Sequence, residues 1–266
     1  MMIRCVAAVL LVFGFSQSCL GDPMLDALVV SYPDHLVGHD EKYLILRDGT
    51  KLQISDGKAA KSFEQLLEAP DIKDQFAIPY PLGITLKKPQ RDEDPGRIRN
   101  EGFFRKMYGD CHKGDVAGHL RPVAWLPHRG GGVVMVTAIN GVADQLTAVS
   151  NELETLPAEL TKYLVPSAGT FNCRPVAGTH RLSMHAYGAA IDLNTKFGDY
   201  WLWSTAKGGD VLWRNRLPLA IVEIFERHGF IWGGKWYHFD TLHFEYRPEI
   251  IAYAKYLNSP VKGDAE

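Results

Sequence analysis

Residues 183–194 read Ser-Met-His-Ala-Tyr-Gly-Ala-Ala-Ile-Asp-Leu-Asn and place His185 seven positions before Asp192. On one extended strand these two side chains would face opposite sides and lie about 23 Å apart, at about 3.3 Å per residue. A shared metal ion needs both ligand atoms within about 2.2 Å of it. The chain must then bend between them, and Gly188 is the residue that permits a bend. The alternative is a buried strand in which both side chains only bond to neighbours, and this segment alone leaves both readings open.

A second segment, residues 233–245, reads Gly-Gly-Lys-Trp-Tyr-His-Phe-Asp-Thr-Leu-His-Phe-Glu. Asp240 and His243 are three positions apart, so a turn or short loop can bring both to one site. If His243 completes the metal set, three protein ligands leave a fourth position for water, as in catalytic zinc sites. Asp240 is then a candidate general base. A lone aspartate is more often a cap, so this interpretation depends on both segments together.

The joint pattern, Ser-x-His-x6-Asp followed by Asp-x-x-His-Phe-Glu, resembles the VanY-like zinc peptidases. These include D-alanyl-D-alanine carboxypeptidases and L-alanyl-D-glutamate endopeptidases, and they share a fold with the hedgehog signalling domain. The resemblance covers roughly residues 120–256. It implies that His185, Asp192 and His243 bind Zn²⁺ and that Asp240 is the catalytic base. An aspartate base is more similar to the endopeptidase branch.

The same family uses an arginine upstream of the first motif to hold the carbonyl oxygen of the substrate as negative charge develops on it. Arg174 matches that position best. Arg181 is the competitor, because it lies nearer to the first ligand in sequence. The resemblance therefore implies a second catalytic residue and favours Arg174 for the stabilisation of the oxyanion.

Residues around the two motifs are candidates for contact with the substrate. We expect Ser183, Tyr187 and Trp236 to bind it. His238 is a rival metal ligand, but the family pattern places the ligand three residues after the acid, which favours a position at the rim. The Trp- and Gly-rich loop 195–213 is expected to shape the groove.

Secondary-structure patterns indicate an α+β fold, because short strands and helices alternate without a βαβ rhythm. The resemblance implies a hedgehog/DD-peptidase-like domain, with an antiparallel sheet flanked by helices and a small N-terminal region beside it. The pattern predicts strands at 132–139, 165–171 and 241–246, helices at 61–68, 142–155 and 214–228, and a final helix from Pro248. Two apolar runs around Asp48-Gly49 predict a β-hairpin.

The domain organisation predicted from the sequence has four parts. Residues 1–21 have a positive start, a short apolar run and small residues, as in a secretory signal peptide. Residues 22–97 form a small region of unknown role that contains the hairpin and ends in a linker or exposed loop at 79–97, rich in proline and charge. Residues 98–258 form the zinc peptidase domain, and residues 259–266 form a flexible tail.

Export has consequences for the cysteines and for the partners of the protein. The mature chain keeps only Cys111 and Cys173, which are expected to pair in an oxidising compartment. The apolar run of the leader is too short to span a bilayer comfortably, which favours a signal peptide over a membrane-anchor helix. No membrane span is expected in the mature chain. The formal net charge of the chain is −2, which gives no sign of a nucleic-acid-binding surface.

The function expected from these features is zinc-dependent hydrolysis of a peptide bond in peptidoglycan stem peptides, in the periplasm or outside the cell. Both carboxypeptidase and endopeptidase activities are open. The competing hypothesis is a catalytically silent, zinc-stabilised module that binds the cell wall or a protein, since a fold does not fix a function.

Overall fold

The computed structural model of the chain describes residues 21–58, 60–84, 87–204 and 211–259. The expected signal peptide, apart from its last residue, lies outside these ranges. So do residues 260–266 of the expected tail and residues 205–210 of the Trp- and Gly-rich loop.

The described residues between 21 and 108 form small elements around a three-stranded antiparallel sheet, in which the strands lie in chain order. The Asp48-Gly49 turn joins the second and third strands, and Gly49 has a φ of +83°, which glycine adopts without strain. The elements are α1 (Pro23–Ser31), β1 (Leu36–His39), β2 (Tyr43–Leu46), β3 (Lys51–Gln53), α2 (Phe63–Glu68) and α3 (Glu101–Tyr108).

The remainder of the described chain contains a two-stranded sheet, β4-β5, and a three-stranded antiparallel sheet of order β6-β8-β7. Helices pack around both sheets, so the prediction of an α+β fold with antiparallel sheets is confirmed. The elements are β4 (Leu120–Ala124), β5 (Val133–Thr137), α4 (Val142–Leu153), α5 (Thr161–Leu164), β6 (Ala190–Asp192), α6 (Leu219–Arg227), β7 (Phe230–Trp232), β8 (His243–Tyr246) and α7 (Pro248–Asn258).

Two predicted elements differ from the structure. Residues 165–171 do not form a strand, and only Gly169 makes an isolated bridge, to Asp192. Pro166 cannot donate a backbone hydrogen bond to a ladder, which explains the interruption. The helix predicted from residue 214 begins at Leu219, directly after Pro218.

The segment 79–97 was predicted to be a linker or an exposed loop, and this is wrong for its last part. Asp94, Pro95 and Gly96 are buried. The indole nitrogen of Trp236 donates a hydrogen bond of 2.8 Å to the carbonyl of Pro95. This stretch is therefore packed against the segment that carries the second motif.

One hydrophobic core joins the described residues before residue 97 to the rest of the described chain. Helix α1 packs against α7, and Leu28 is fully buried. The ring of Tyr32 meets the ring of Phe103 edge to face at 5.1 Å. In the described residues, no helix has the length and apolar character that crossing a membrane requires.

Candidate active site

A tight turn and one strand pair bring the two sequence motifs together. His185 lies in a short 3-10 turn that ends at Gly188, whose φ is +65°. A Cβ at Gly188 would lie 2.9 Å from the side chain of Leu120 and 3.0 Å from the backbone nitrogen of Thr137, so a side chain there would push both neighbours aside. The chain then enters β6.

Strand register completes the arrangement. Asp192, at the end of β6, lies opposite His243, the first residue of β8, in the antiparallel pair. Side chains of directly opposed residues in such a pair have Cβ atoms about 5 Å apart on one face of the sheet. The fold therefore places the two motifs side by side, although about fifty residues separate them in sequence.

The three candidate metal ligands converge on one point. The Nε2 atom of His185 lies 3.2 Å from one oxygen of Asp192. The Nδ1 atom of His243 lies 2.9 Å from the other oxygen, and the two ring nitrogens are 3.2 Å apart. These atoms all lie within 4.8 Å of one another, which is the separation that ligands of one ion have.

The outward-facing nitrogens of both rings support a metal at this point. Nδ1 of His185 donates to the carbonyl of Thr170, and Nε2 of His243 donates to Glu245 at 3.0 Å. With these protons outside, each ring can turn a lone pair inward to a metal ion; without an ion, Nδ1 of His243 holds a proton that it donates to Asp192. Such a set of electron donors is stable around a cation, so the residues fit a zinc ion held by two histidines and one carboxylate.

The electrostatics of the group also favour positive charge. Burial opposes ionisation of Asp192, but its hydrogen bonds with both histidines outweigh burial and lower its pKa. Burial likewise disfavours charge on His243, yet its bonds to Asp192 and Glu245 raise its pKa to about 10. Glu245 is fully buried, and Arg99 and His243 still hold its pKa at about 2. Two ionised carboxylates therefore stabilise a cation between the rings.

Asp240 lies beside this group without belonging to it. Its backbone nitrogen donates to the carbonyl of Gly233 at 3.0 Å. A Cβ at Gly233 would lie 2.6 Å from the backbone oxygen of Asp240, so glycine permits this close approach. The Oδ1 atom of Asp240 is buried and has no hydrogen-bond partner among the described residues. Burial, together with the nearby charge of Asp192, raises the pKa of Asp240 to about 6.

A cavity of about 280 Å³ is lined by the three candidate ligands and by Asp240. Among the predicted substrate contacts, Ser183 and Trp236 line it as well. Tyr187 does not: it is almost fully buried and its ring packs against Phe104 and Tyr108, with ring centroids 5.8 and 6.2 Å away. The structure therefore does not bring Tyr187 to the cavity.

The two candidate arginines lie in different places. Arg174 lines the cavity and directly follows Cys173, which forms a disulfide with Cys111. Arg181 lines a separate cavity and forms an ion pair of 3.1 Å with Glu68. The structure brings Arg174 to the candidate site, and the disulfide anchors the loop that carries it.

Sequence reasoning missed the contribution of residues 94–99. Arg97 and Arg99 line the cavity, and the guanidinium of Arg97 lies 5.4 Å from the ring centre of Trp236. Buried Asp94 accepts hydrogen bonds from Nδ1 of His238, at 2.8 Å, and from Arg97, at 3.1 Å. His238 is a wall residue of the cavity. The only sequence signal was a dense run of charge, which also fits a solvated loop.

Comparison with known proteins agrees with the geometry over part of the chain. Residues 177–246 match a peptidase M15 family model described as D-alanyl-D-alanine carboxypeptidase. The matched segment includes both motifs and excludes the loop of Arg174 and all residues before it. No curated protein and no solved structure matches the chain significantly. The match supports the resemblance to the VanY-like peptidases within its own bounds.

Proposed function

We propose that the protein is an exported zinc peptidase that hydrolyses a peptide bond in peptidoglycan stem peptides. The observation that carries the proposal is the convergence of His185, Asp192 and His243 within 4.8 Å, in the same cavity as the buried carboxylate of Asp240. The family match, which is to carboxypeptidases of D-alanyl-D-alanine, supports both the reaction class and the kind of substrate.

Zinc bound by these three residues would act as a Lewis acid toward the scissile carbonyl and would increase the acidity of water. Asp240 supplies the proton transfers. Its unpaired, buried oxygen faces no competing donor among the described residues, so it can accept a proton from the attacking water. A raised pKa lets the same group return that proton to the leaving amine.

Arg174 is proposed to stabilise the negative charge that develops on the carbonyl oxygen. Among the described residues, the only hydrogen bond of its guanidinium is a long one, 3.3 Å, to the carbonyl of Pro175, so the guanidinium can turn to a substrate. A well-placed donor of this kind is worth about 3–4 kcal/mol of transition-state stabilisation in other enzymes. Ser183 and Trp236 are proposed to contact the peptide.

The cellular setting and the domain limits are part of the proposal. A leader at residues 1–21 would direct the chain to the periplasm or outside the cell, and the Cys111–Cys173 disulfide fits such an oxidising compartment. Residues 98–258 would form the peptidase domain, with residues 22–97 packed on it. The cut is proposed to be either a D,D-carboxypeptidase cut or an L-alanyl-D-glutamate endopeptidase cut.

The test is to measure zinc content and then digest purified peptidoglycan, with mass spectrometry of the products. We expect close to one zinc ion per chain and the release of either a terminal D-alanine or a shortened stem peptide. Asp144→Asn, at an exposed position of α4, is a matched control that should change neither result. Zinc binding without any product would instead identify a silent binding module, and absence of zinc binding would refute the proposal.

A further inference from the structure

Glu245 lies next to His243 on the same face of β8. Residues two positions apart on a strand share a face, and Phe244, between them, packs on the other face against Phe225, with ring centroids 3.9 Å apart. Glu245 is fully buried and does not line the cavity. Its carboxylate therefore meets the outer edge of the His243 ring, where it accepts the Nε2 proton at 3.0 Å.

The position of this carboxylate is fixed by two arginines. Arg99 donates to both oxygens of Glu245, at 2.9 and 3.2 Å. Arg247 donates to one oxygen at 3.3 Å and also binds Glu249 and the carbonyl of Gly96. Charge-assisted bonds of this type are the stronger ones in proteins. Glu245 thus has no freedom to turn away from the histidine.

The carboxylate of Glu245 determines which ring nitrogen of His243 can bind an ion. A glutamate carboxylate accepts hydrogen bonds, so it keeps the proton of His243 on Nε2 and leaves Nδ1 as the nitrogen that can bind an ion. Nδ1 is the atom that faces Asp192, at 2.9 Å, and His185, at 3.2 Å. A glutamine amide can present either its oxygen or its NH₂ group, so it would not select one tautomer.

We infer that Glu245, held by Arg99, is a positioning residue that fixes the ring orientation and tautomer of His243 for metal binding. The inference rests on the zinc site of the proposed function. It also assigns a role to Arg99, which lies outside the segment that matches the peptidase family. A residue just after the supposed linker thereby helps to build the metal centre.

The experiment measures the dissociation constant of zinc by competition with a chelator, for the full mature chain and three variants. Loss of a partner outside the ligands typically weakens metal binding about 10-fold to 100-fold, and we expect Glu245→Gln to fall in that range. Arg99→Gln should fall near its lower end, about tenfold, because Arg247 still holds one oxygen of Glu245.

Glu249→Gln is the matched control. Glu249 is as deeply buried as Glu245, binds the same arginine and accepts a hydrogen bond from Tyr32. It does not contact a candidate ligand. We expect this variant to lose stability against urea while its folded form binds zinc as tightly as the wild type.

The outcomes separate the inference from the proposed function. If the wild type and Glu245→Gln bind zinc with equal affinity, the inference is wrong and the proposed function stands. The same holds if Glu245→Gln and Glu249→Gln lose zinc affinity to an equal extent. A wild-type protein that binds no zinc would overturn the proposed function and the inference with it. If Glu245→Gln does not fold, the test is made with Arg99→Gln, because the side chain of Arg99 lies at the cavity wall. Unchanged zinc affinity in Arg99→Gln would then refute the inference.

Discussion

Replacing Asp240 with asparagine should make the metal-free protein more stable at pH 8. Burial, aided by Asp192, raises the pKa of Asp240 from its ordinary 3.8 to about 6. The folded state therefore holds this proton more tightly than the unfolded state does. Below about pH 4, Asp240 is protonated in both states and does not affect the free energy of unfolding. Above about pH 6 it is ionised in both states, and its burial then lowers the free energy of unfolding by the full amount. Asparagine has nearly the same shape and carries no charge, so it removes that cost.

The magnitude follows from the size of the shift. A difference of about 2 pKa units corresponds to about 3 kcal/mol, at 1.36 kcal/mol per unit. For a chain of this length, this corresponds to a rise of roughly 6–12 °C in Tm. The measurement is urea and thermal unfolding of metal-free wild type and Asp240→Asn at pH 8 and pH 4.5. The difference between the two proteins reports the charge of Asp240 together with its effect on the neighbouring charges of His243 and Asp192.

The same substitution should remove activity without removing zinc. A general base contributes about 100-fold to 10,000-fold, so hydrolysis of peptidoglycan by zinc-loaded Asp240→Asn should fall by that factor. Zinc content should stay the same, because Asp240 is not among the three converging ligands. A variant that is no more stable at pH 8, or whose advantage does not shrink toward pH 4.5, would refute the burial argument. Wild-type turnover in the variant would refute its assignment as the base.

Three further experiments test other parts of the site. Arg174→Ala should lower kcat about 100-fold to 1,000-fold with zinc content unchanged. Arg181→Ala, which loses the ion pair with Glu68, should keep the wild-type kcat. Equal kcat values in the two variants would refute the assignment of Arg174. Replacing both Cys111 and Cys173 with serine should lower the free energy of unfolding by about 4 kcal/mol, because the disulfide closes a loop of 62 residues. An unchanged midpoint of urea unfolding would contradict this. Gly188→Ala should weaken zinc binding and lower Tm. Residue 188 has a left-handed conformation, which disfavours alanine, and its Cβ would lie 3.0 Å from the backbone nitrogen of Thr137. A zinc titration that matches the wild type would show that the turn tolerates a side chain.

Local patterns predicted those parts of the fold whose cause is local. The hairpin at Asp48-Gly49 follows from turn chemistry, and α4 follows from apolar residues at helical spacing, which are buried in the structure. The bend at Gly188 was predicted from the need to bring two ligands to one ion, and the structure has a positive φ there. The strand predicted at 165–171 failed because an apolar pattern was given more weight than Pro166.

Residues 94–99 could not be assigned to the site from sequence, because the residues that they contact at the site are far away along the chain. Asp94 meets His238 across 144 positions, and Arg99 meets Glu245 across 146. A run rich in charge and proline has the composition of an exposed loop. Its burial depends on partners that local sequence does not reveal. Tyr187 is buried away from the cavity, and its position within the first motif does not reveal which face of the turn enters the core.

A chain of buried polar contacts gives residues 22–97 a structural connection to the metal centre. Tyr32, directly after α1, donates to Glu249 at 3.0 Å; Arg247 bonds to both Glu249 and Glu245; and Glu245 holds His243. Each of the three charged links is fully buried, and removal of one partner from a buried pair costs about 3–5 kcal/mol because the other charge is left uncompensated. Removing the segment that carries Tyr32 would uncover this chain at one end. The other end of these contacts is Glu245, whose own hydrogen bond orients His243. The region before residue 97 therefore contributes to the stability of the fold around the site, and loss of Glu249 alone should leave the zinc affinity unchanged.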